Sequence, residues 1–275
     1  MINKLTIVGI GLIGDSLARA LRRVGYVNEI VGFGRNLNNL KLAVDLGVVD
    51  HAEVNLAAAT KDADMIVIAV PVGAMTEIFS QLAGRITRET VVTDVGSVKT
   101  SVVTMAREAL GAAEFARFVP GHPIAGTEES GVAASREDLF QSHQIILSPE
   151  PETDPGAVET VRAMWEAAGA TVRMIEAPQH DIILAASSHL PHVLAYALVD
   201  LYVFVGDALR FLEHGRAHVL DGAAHEFAQG LLVDVGELVD VEAGLAGLDL
   251  AQPGQERFVP VKAVHDIERQ AALAG

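Results

Sequence analysis

The segment Gly9-Ile-Gly-Leu-Ile-Gly14 restricts the folds open to this chain more than any other stretch. It stands between a short β-rich run, Leu5 to Val8, and a stretch from Ser16 to Arg23 in which Leu17, Ala18 and Leu21 recur on one helical face. Three glycines at this spacing between a strand and a helix have separate duties. Gly9 permits the tight turn, Gly11 lets the backbone approach a pyrophosphate, and Gly14 lets the helix pack closely on the strand. The helix N-terminus, with Leu12 and Ile13, then offers unpaired N–H groups and a favourable dipole to phosphates. The expected unit is a dinucleotide-binding βαβ fold of the Rossmann type.

The alternation continues downstream. Glu29 to Phe33, Met65 to Val70 and Val91 to Val95 read as strands, with helices around Leu40 to Leu46 and Met75 to Leu82 between them. Met65 to Val70 and Val91 to Val95 are continuous rather than alternating, as expected of strands covered on both faces. A loop rich in Gly and Pro runs from Phe118 through Gly121-His-Pro-Ile-Ala-Gly-Thr-Glu128. A strand at Gln144 to Leu147, a helix around Val158 to Ala168 and a strand at Thr171 to Met174 would complete the sheet. Beyond Gln179 long apolar helical stretches begin. The expected architecture is therefore α/β, with an N-terminal doubly wound parallel sheet in residues 1 to 177 and a mainly α-helical domain in residues 178 to 275.

Composition narrows the partners. A net charge of −16 repels nucleic acid and anionic membranes, so a phosphate or carboxylate ligand must be held by local cations and helix ends. The absence of cysteine excludes disulfides and thiolate metal sites, and no metal centre is expected. No uninterrupted apolar run reaches membrane-spanning length, and the expected location is cytoplasmic.

Cofactor choice is read at the end of the second strand, Gly32-Phe-Gly-Arg-Asn36. A carboxylate there would accept hydrogen bonds from a free ribose 2′-hydroxyl, but none is present. Gly34 leaves space and Arg35 offers a permanently charged fork suited to a 2′-phosphate, which favours NADP over NAD. Val70 and Pro71, at the end of the next strand, are further candidates for cofactor contact.

The chemistry-bearing residues lie farther along. Asp94-Val-Gly-Ser-Val-Lys99 follows a buried strand, so Ser97 and Lys99 fall at the carboxyl end of the sheet, where such folds bind ligands. His122 lies in the Gly- and Pro-bounded loop, and His189 and His192 are three apart on a helical stretch. Singly, each has a plain structural explanation: Ser97 as a helix cap, Lys99 as surface charge, a histidine satisfied locally.

Together they resemble one family. The glycine segment, Ala69-Val-Pro71, Asp94 to Lys99, Gly121-His-Pro-Ile-Ala-Gly-Thr-Glu-Glu-Ser-Gly131, Trp165 before Gly169-Ala170, and His180-Asp181 leading to Ser188-His-Leu-Pro-His192 resemble the prephenate/arogenate dehydrogenases of tyrosine biosynthesis. The resemblance spans roughly residues 1 to 200. It implies oxidative decarboxylation of a cyclohexadienol acid with hydride transfer to NADP or NAD. His122 is implied as the base and Ser97 as the residue that orients it and the substrate hydroxyl. Glu128, His192, His189 and Lys99 are implied around the substrate or at the active-site edge, and a homodimer is implied through the helical domain.

After about Leu201 the resemblance stops, and the family's arginine-bearing carboxylate anchor has no counterpart there. Arg210, Arg216 and Arg257 lie in no matching motif, in a tail with five basic and 12 acidic residues. The alternative expectation is a catalytically silent dinucleotide-binding protein whose altered tail no longer holds a substrate.

Overall fold

The computed structural model describes residues 1–125, 131–191, 193–199 and 201–202. The chain divides into Met1–Asp181 and Ile182–Gly275, four residues beyond the boundary expected at Ala177.

The first unit is built on a parallel sheet. Its strands are β1 (Ile2–Val8), β2 (Val27–Phe33), β3 (His51–Glu53), β4 (Met65–Ile68), β5 (Val91–Asp94) and β6 (Phe118–Val119), ordered β3-β2-β1-β4-β5-β6. Order reverses between β1 and β4, and a crevice opens at the carboxyl ends of strands flanking such a reversal. Helices α1 (Leu12–Arg23), α2 (Leu37–Asp45), α3 (Leu56–Thr60), α4 (Met75–Leu82), α5 (Thr100–Ala109) and α6 (Ala112–Phe115) connect the strands.

The apolar runs are continuous because both faces are covered. Met65 and Val67 of β4 join Leu5, Ile7, Leu17 and Leu21 in one core, while Ile66 and Ile68 join Val8, Val31, Phe79 and Phe118 in the other. Side chains alternate across a strand, so a strand that feeds two cores is apolar at every position.

The remaining strands depart from expectation. Gln144 to Leu147 and Thr171 to Met174 do form strands, but not in the main sheet. With β7 (Gly121–Ile124), strands β8 (Gln144–Leu147) and β9 (Thr171–Met174) make a second, three-stranded sheet ordered β7-β8-β9. Here β7 runs antiparallel to β8, and β8 parallel to β9. The expected loop around His122 is thus partly strand. An edge position tolerates Pro123, which has no N–H to give a ladder. Helix α7 (Pro155–Ala167), capped by the Asp154 side chain, leads into β9 and buries Trp165.

Helix α8 (Ala177–Leu184) crosses the boundary between the units and is followed by a π-helical turn, Ala185–His189. Contrary to the sequence reading, one helix, Ala177–Val199, has the length and apolarity of a bilayer-crossing segment. Length and composition alone speak for that role, and the helix carries His180 and Asp181 in polar contacts of the first unit.

Candidate active site

The glycine turn has the geometry its spacing implies. Gly9 sits at φ +114, and a Cβ on it would run into the Ala69 backbone and within 2.9 Å of Val70 Cγ1. A Cβ on Gly14 would meet Ile7 Cγ2 at 2.7 Å and the Gly9 carbonyl at 2.9 Å. Gly11 is different, with nothing within 4 Å of its would-be Cβ. Gly11 is also the N-cap of α1 and supplies no side-chain cap, so the first-turn N–H groups around Leu12 and Ile13 have no capping acceptor. An open space above an uncapped helix end fits a pyrophosphate, and these residues would hold one.

The other cofactor candidates share this edge of the sheet. Gly34 and exposed Arg35 follow the end of β2, with Asn36 capping α2 through its side-chain oxygen. Gly34 has room for a Cβ, its nearest neighbour being Leu40 Cδ2 at 3.5 Å. Half-buried Val70 and exposed Pro71 follow β4.

Next along the same edge, β5 ends at Asp94, which is fully buried. Its carboxylate accepts from the Gly96 N–H at 2.8 Å, the Gly121 N–H at 3.0 Å and the Lys99 ammonium at 2.5 Å. Lys99 also donates to the Gly121 carbonyl at 2.6 Å. Burial pushes the Lys99 ammonium down from its ordinary value, and the Asp94 carboxylate beside it opposes that shift. Expected at the substrate edge, Lys99 instead lies wholly inside, joining β5 to the first residue of β7. A Cβ on Gly121 would come within 2.8 Å of the Asp94 carbonyl, so glycine is what allows β7 to start there.

β7 then presents His122. Along this strand Gly121 and Pro123 are buried while His122 and Ile124 are half-buried, the alternation of a strand with two different faces. The His122 Nδ1 lies 2.9 Å from His180 Nε2, with the rings edge to face at 5.1 Å. His180 is fully buried, and its Nδ1 is 2.8 Å from Asp181 Oδ1. Asp181 also accepts the backbone N–H of Lys99 at 2.7 Å and of Thr100 at 2.9 Å. Its carboxyl, although burial raises it, is held down at about 2 by these N–H donors and by His180. Burial lowers the His180 imidazole from its ordinary value despite the neighbouring carboxylate, so the ring is neutral near pH 7.

Ser97 lies exposed in the β5–α5 loop. It does not cap a helix: α5 begins at Thr100, and the Asp181 carboxylate serves its N-terminus instead. In the sequence His180, Asp181 and Asp94 stand only as parts of motifs. Asp94 binds Lys99 five residues on, but His180 meets His122 58 residues away and Asp181 meets the Lys99 N–H 82 residues away. His189 ends the π-helical turn of the second unit. Glu128, His192, Arg210, Arg216 and Arg257 lie outside the described residues.

Comparison with known proteins agrees with this geometry. The profile of the family described as "Prephenate dehydrogenase, nucleotide-binding domain" matches residues 17–174. The cyclohexadienyl dehydrogenase of Zymomonas mobilis is 34% identical over 199 residues, which are 72% of this chain and 66% of that protein. The prephenate dehydrogenase of Bacillus subtilis is 34% identical over 200 residues, 72% of this chain and 53% of the relative. The chain thus spans less than two thirds of these curated relatives. Among solved structures, Aquifex aeolicus prephenate dehydrogenase in complex with hydroxyphenyl propionate and NAD+ aligns at a TM-score of 0.70 with 28% identity, covering 100% of this chain and 92% of the other. With its Asp94–Lys99 junction and its strand-borne His122 inside the region that profile matches, the chain belongs to the prephenate dehydrogenase family.

Proposed function

We propose that this protein catalyses the oxidative decarboxylation of prephenate, arogenate or both, with NADP or NAD as hydride acceptor. The observation that carries this reading is His122 on β7, one residue after Gly121, which is bonded to Asp94 at the carboxyl end of β5, with His122 backed by His180 and Asp181. The named substrates and the NAD+ complex of the relatives support the choice of chemistry.

In this reaction the bound nicotinamide supplies the acceptor for a hydride from the ring carbon that bears the hydroxyl. His122 takes the hydroxyl proton as the carbonyl forms. The ring carboxylate then leaves as carbon dioxide, its electron pair makes the ring aromatic, and His122 returns the proton to the phenolate oxygen. An imidazole suits both directions because its ordinary pKa lies close to neutrality. Ser97, exposed on the neighbouring loop, orients the hydroxyl. The N-terminus of α1 with Gly9, Gly11 and Gly14 holds the pyrophosphate, Val70 and Pro71 border it, and Arg35 holds a 2′-phosphate, which makes NADP the preferred form. Glu128, His189 and His192 complete the substrate side as the family resemblance implies, and Lys99 acts from beneath by holding β7 to β5. A homodimer in the cytoplasm is part of the same proposal, supported by the exposed Val193, Leu194 and Tyr196 of the second unit.

Purified full-length chain mixed with each cofactor and each substrate will produce reduced nicotinamide and carbon dioxide. Binding of cofactor without turnover of either substrate would establish the silent alternative. Replacement His122→Asn will lower kcat by about 100-fold or more with unchanged dinucleotide affinity, and an unaffected kcat would remove His122 as the base.

A further inference from the structure

We propose that His180 and Asp181 are positioning residues that fix the tautomer of His122, placing its proton on Nδ1 and leaving Nε2 as the basic nitrogen. The inference rests on the reading of His122 as the base and adds how that base is set.

Asp181 accepts from Lys99 N, Thr100 N and His180 Nδ1. An ionised carboxylate receiving three donors has no proton to give, so His180 Nδ1 carries the hydrogen of the 2.8 Å contact. The His180 ring is fully buried and neutral, as burial dictates. A neutral imidazole with hydrogen on Nδ1 has a lone pair on Nε2. That lone pair lies 2.9 Å from His122 Nδ1, so His122 Nδ1–H must be the donor. Neutral His122 is thereby left with its lone pair on Nε2, the nitrogen on the other side of the ring.

The same chain acts when His122 takes up a proton. The new imidazolium keeps its Nδ1–H bond to the His180 lone pair, and the negative charge of Asp181 lies one ring farther on. Lys99 opposes this, its positive charge being felt at His180, while the paired Asp94 offsets it. No proton needs to leave His122 toward His180; the pair orients and stabilises the base without entering the reaction.

The test uses full-length protein with 15N-labelled histidine, measuring the ring nitrogens of His122 and His180 by NMR and assigning them by single replacement. Both rings are expected as Nδ1–H tautomers at neutral pH. His180→Leu, which offers no acceptor, will give His122 a mixed or Nε2–H tautomer and lower kcat by about 100-fold, with dinucleotide Kd unchanged. His180→Gln, whose carboxamide oxygen can accept from Nδ1–H, will recover most of that loss. An Nε2–H tautomer of His122 in the unaltered protein overturns the proposal, as does a folded His180→Leu protein with unchanged kcat and tautomer. Should His180→Leu fail to fold, the tautomer in the unaltered protein decides. That spectrum needs no turnover, so failure of the enzymatic reading and failure of the positioning role give different results.

Discussion

Asp181 accepts the backbone N–H groups of Lys99 and Thr100 at 2.7 and 2.9 Å, so the acid that steadies His180 also closes the N-terminus of α5. A single carboxylate therefore serves both a helix end and the imidazole next to the proposed base. Ser97, two residues before Lys99, is relieved of the capping duty its type suggests.

Asp181→Asn will destabilise the protein in a pH-dependent way. The carboxyl is held at about 2 against an ordinary 3.8, so its stabilisation is complete above pH 4 and is lost as pH falls through 2. About 2 kcal/mol is at stake. Thermal unfolding will show the two proteins far apart at pH 7 and converging as pH approaches 2. A gap independent of pH would contradict the assignment.

Asp15 behaves in the opposite sense. It is fully buried in α1, and neither carboxylate oxygen reaches a hydrogen-bond partner among the described residues. Burial pushes it up to about 7, against weaker pulls from the Arg19 charge and the nearby Gly11 backbone dipole. Its folded form binds a proton more tightly than its unfolded form. Stability therefore falls as pH rises from about 4 to about 7, then levels off, for a total of about 4 kcal/mol. Asp15→Asn will raise the unfolding temperature more at pH 8 than at pH 5; an equal effect at both would count against the shift.

The two glycines of the turn will separate folding from binding. Gly9→Ala forces a side chain into the Ala69 backbone at a left-handed φ and will cost a few kcal/mol, about the scale of an overpacked core. Gly11→Ala meets nothing and will leave the unfolding temperature unchanged. Its Cβ will nonetheless obstruct a pyrophosphate and weaken dinucleotide binding about tenfold or more. Calorimetry of unfolding together with cofactor titration measures both.

Arg35→Ala will raise the KM for NADP at least about tenfold, the cost of a charge-assisted fork, and leave that for NAD nearly unchanged. Equal effects on the two cofactors would remove Arg35 from the 2′-phosphate.

Legibility in the sequence followed period and length. Met65 to Ile68 stands out because a strand covered on both faces is an unbroken apolar run, and Val91 to Asp94 because its residues do not alternate and are all buried. His51–Glu53 and Phe118–Val119 pass unnoticed because two or three residues cannot display a period. Gly121–Ile124 reads as a loop because Gly and Pro ordinarily interrupt strands, whereas here Gly121 permits close approach to Asp94 and Pro123 sits on an edge strand. The glycine turn, Ser97 and His122 were visible as types at telling positions. The link from His122 to His180 joins residues 58 apart, and that from Lys99 to Asp181 joins residues 82 apart. Pairings of that range depend on the tertiary path and carry no local mark.

The buried Asp94–Lys99 pair has a mechanical consequence. One ammonium bonds the last residue of β5 in the main sheet and the first residue of β7 in the smaller one. In the proposed reaction the main sheet carries the hydride acceptor's cradle and the smaller sheet carries the proton acceptor. Their spacing is gauged at this rivet, so any breathing between the sheets would have to expose or break a desolvated ion pair before the two acceptors could drift out of step.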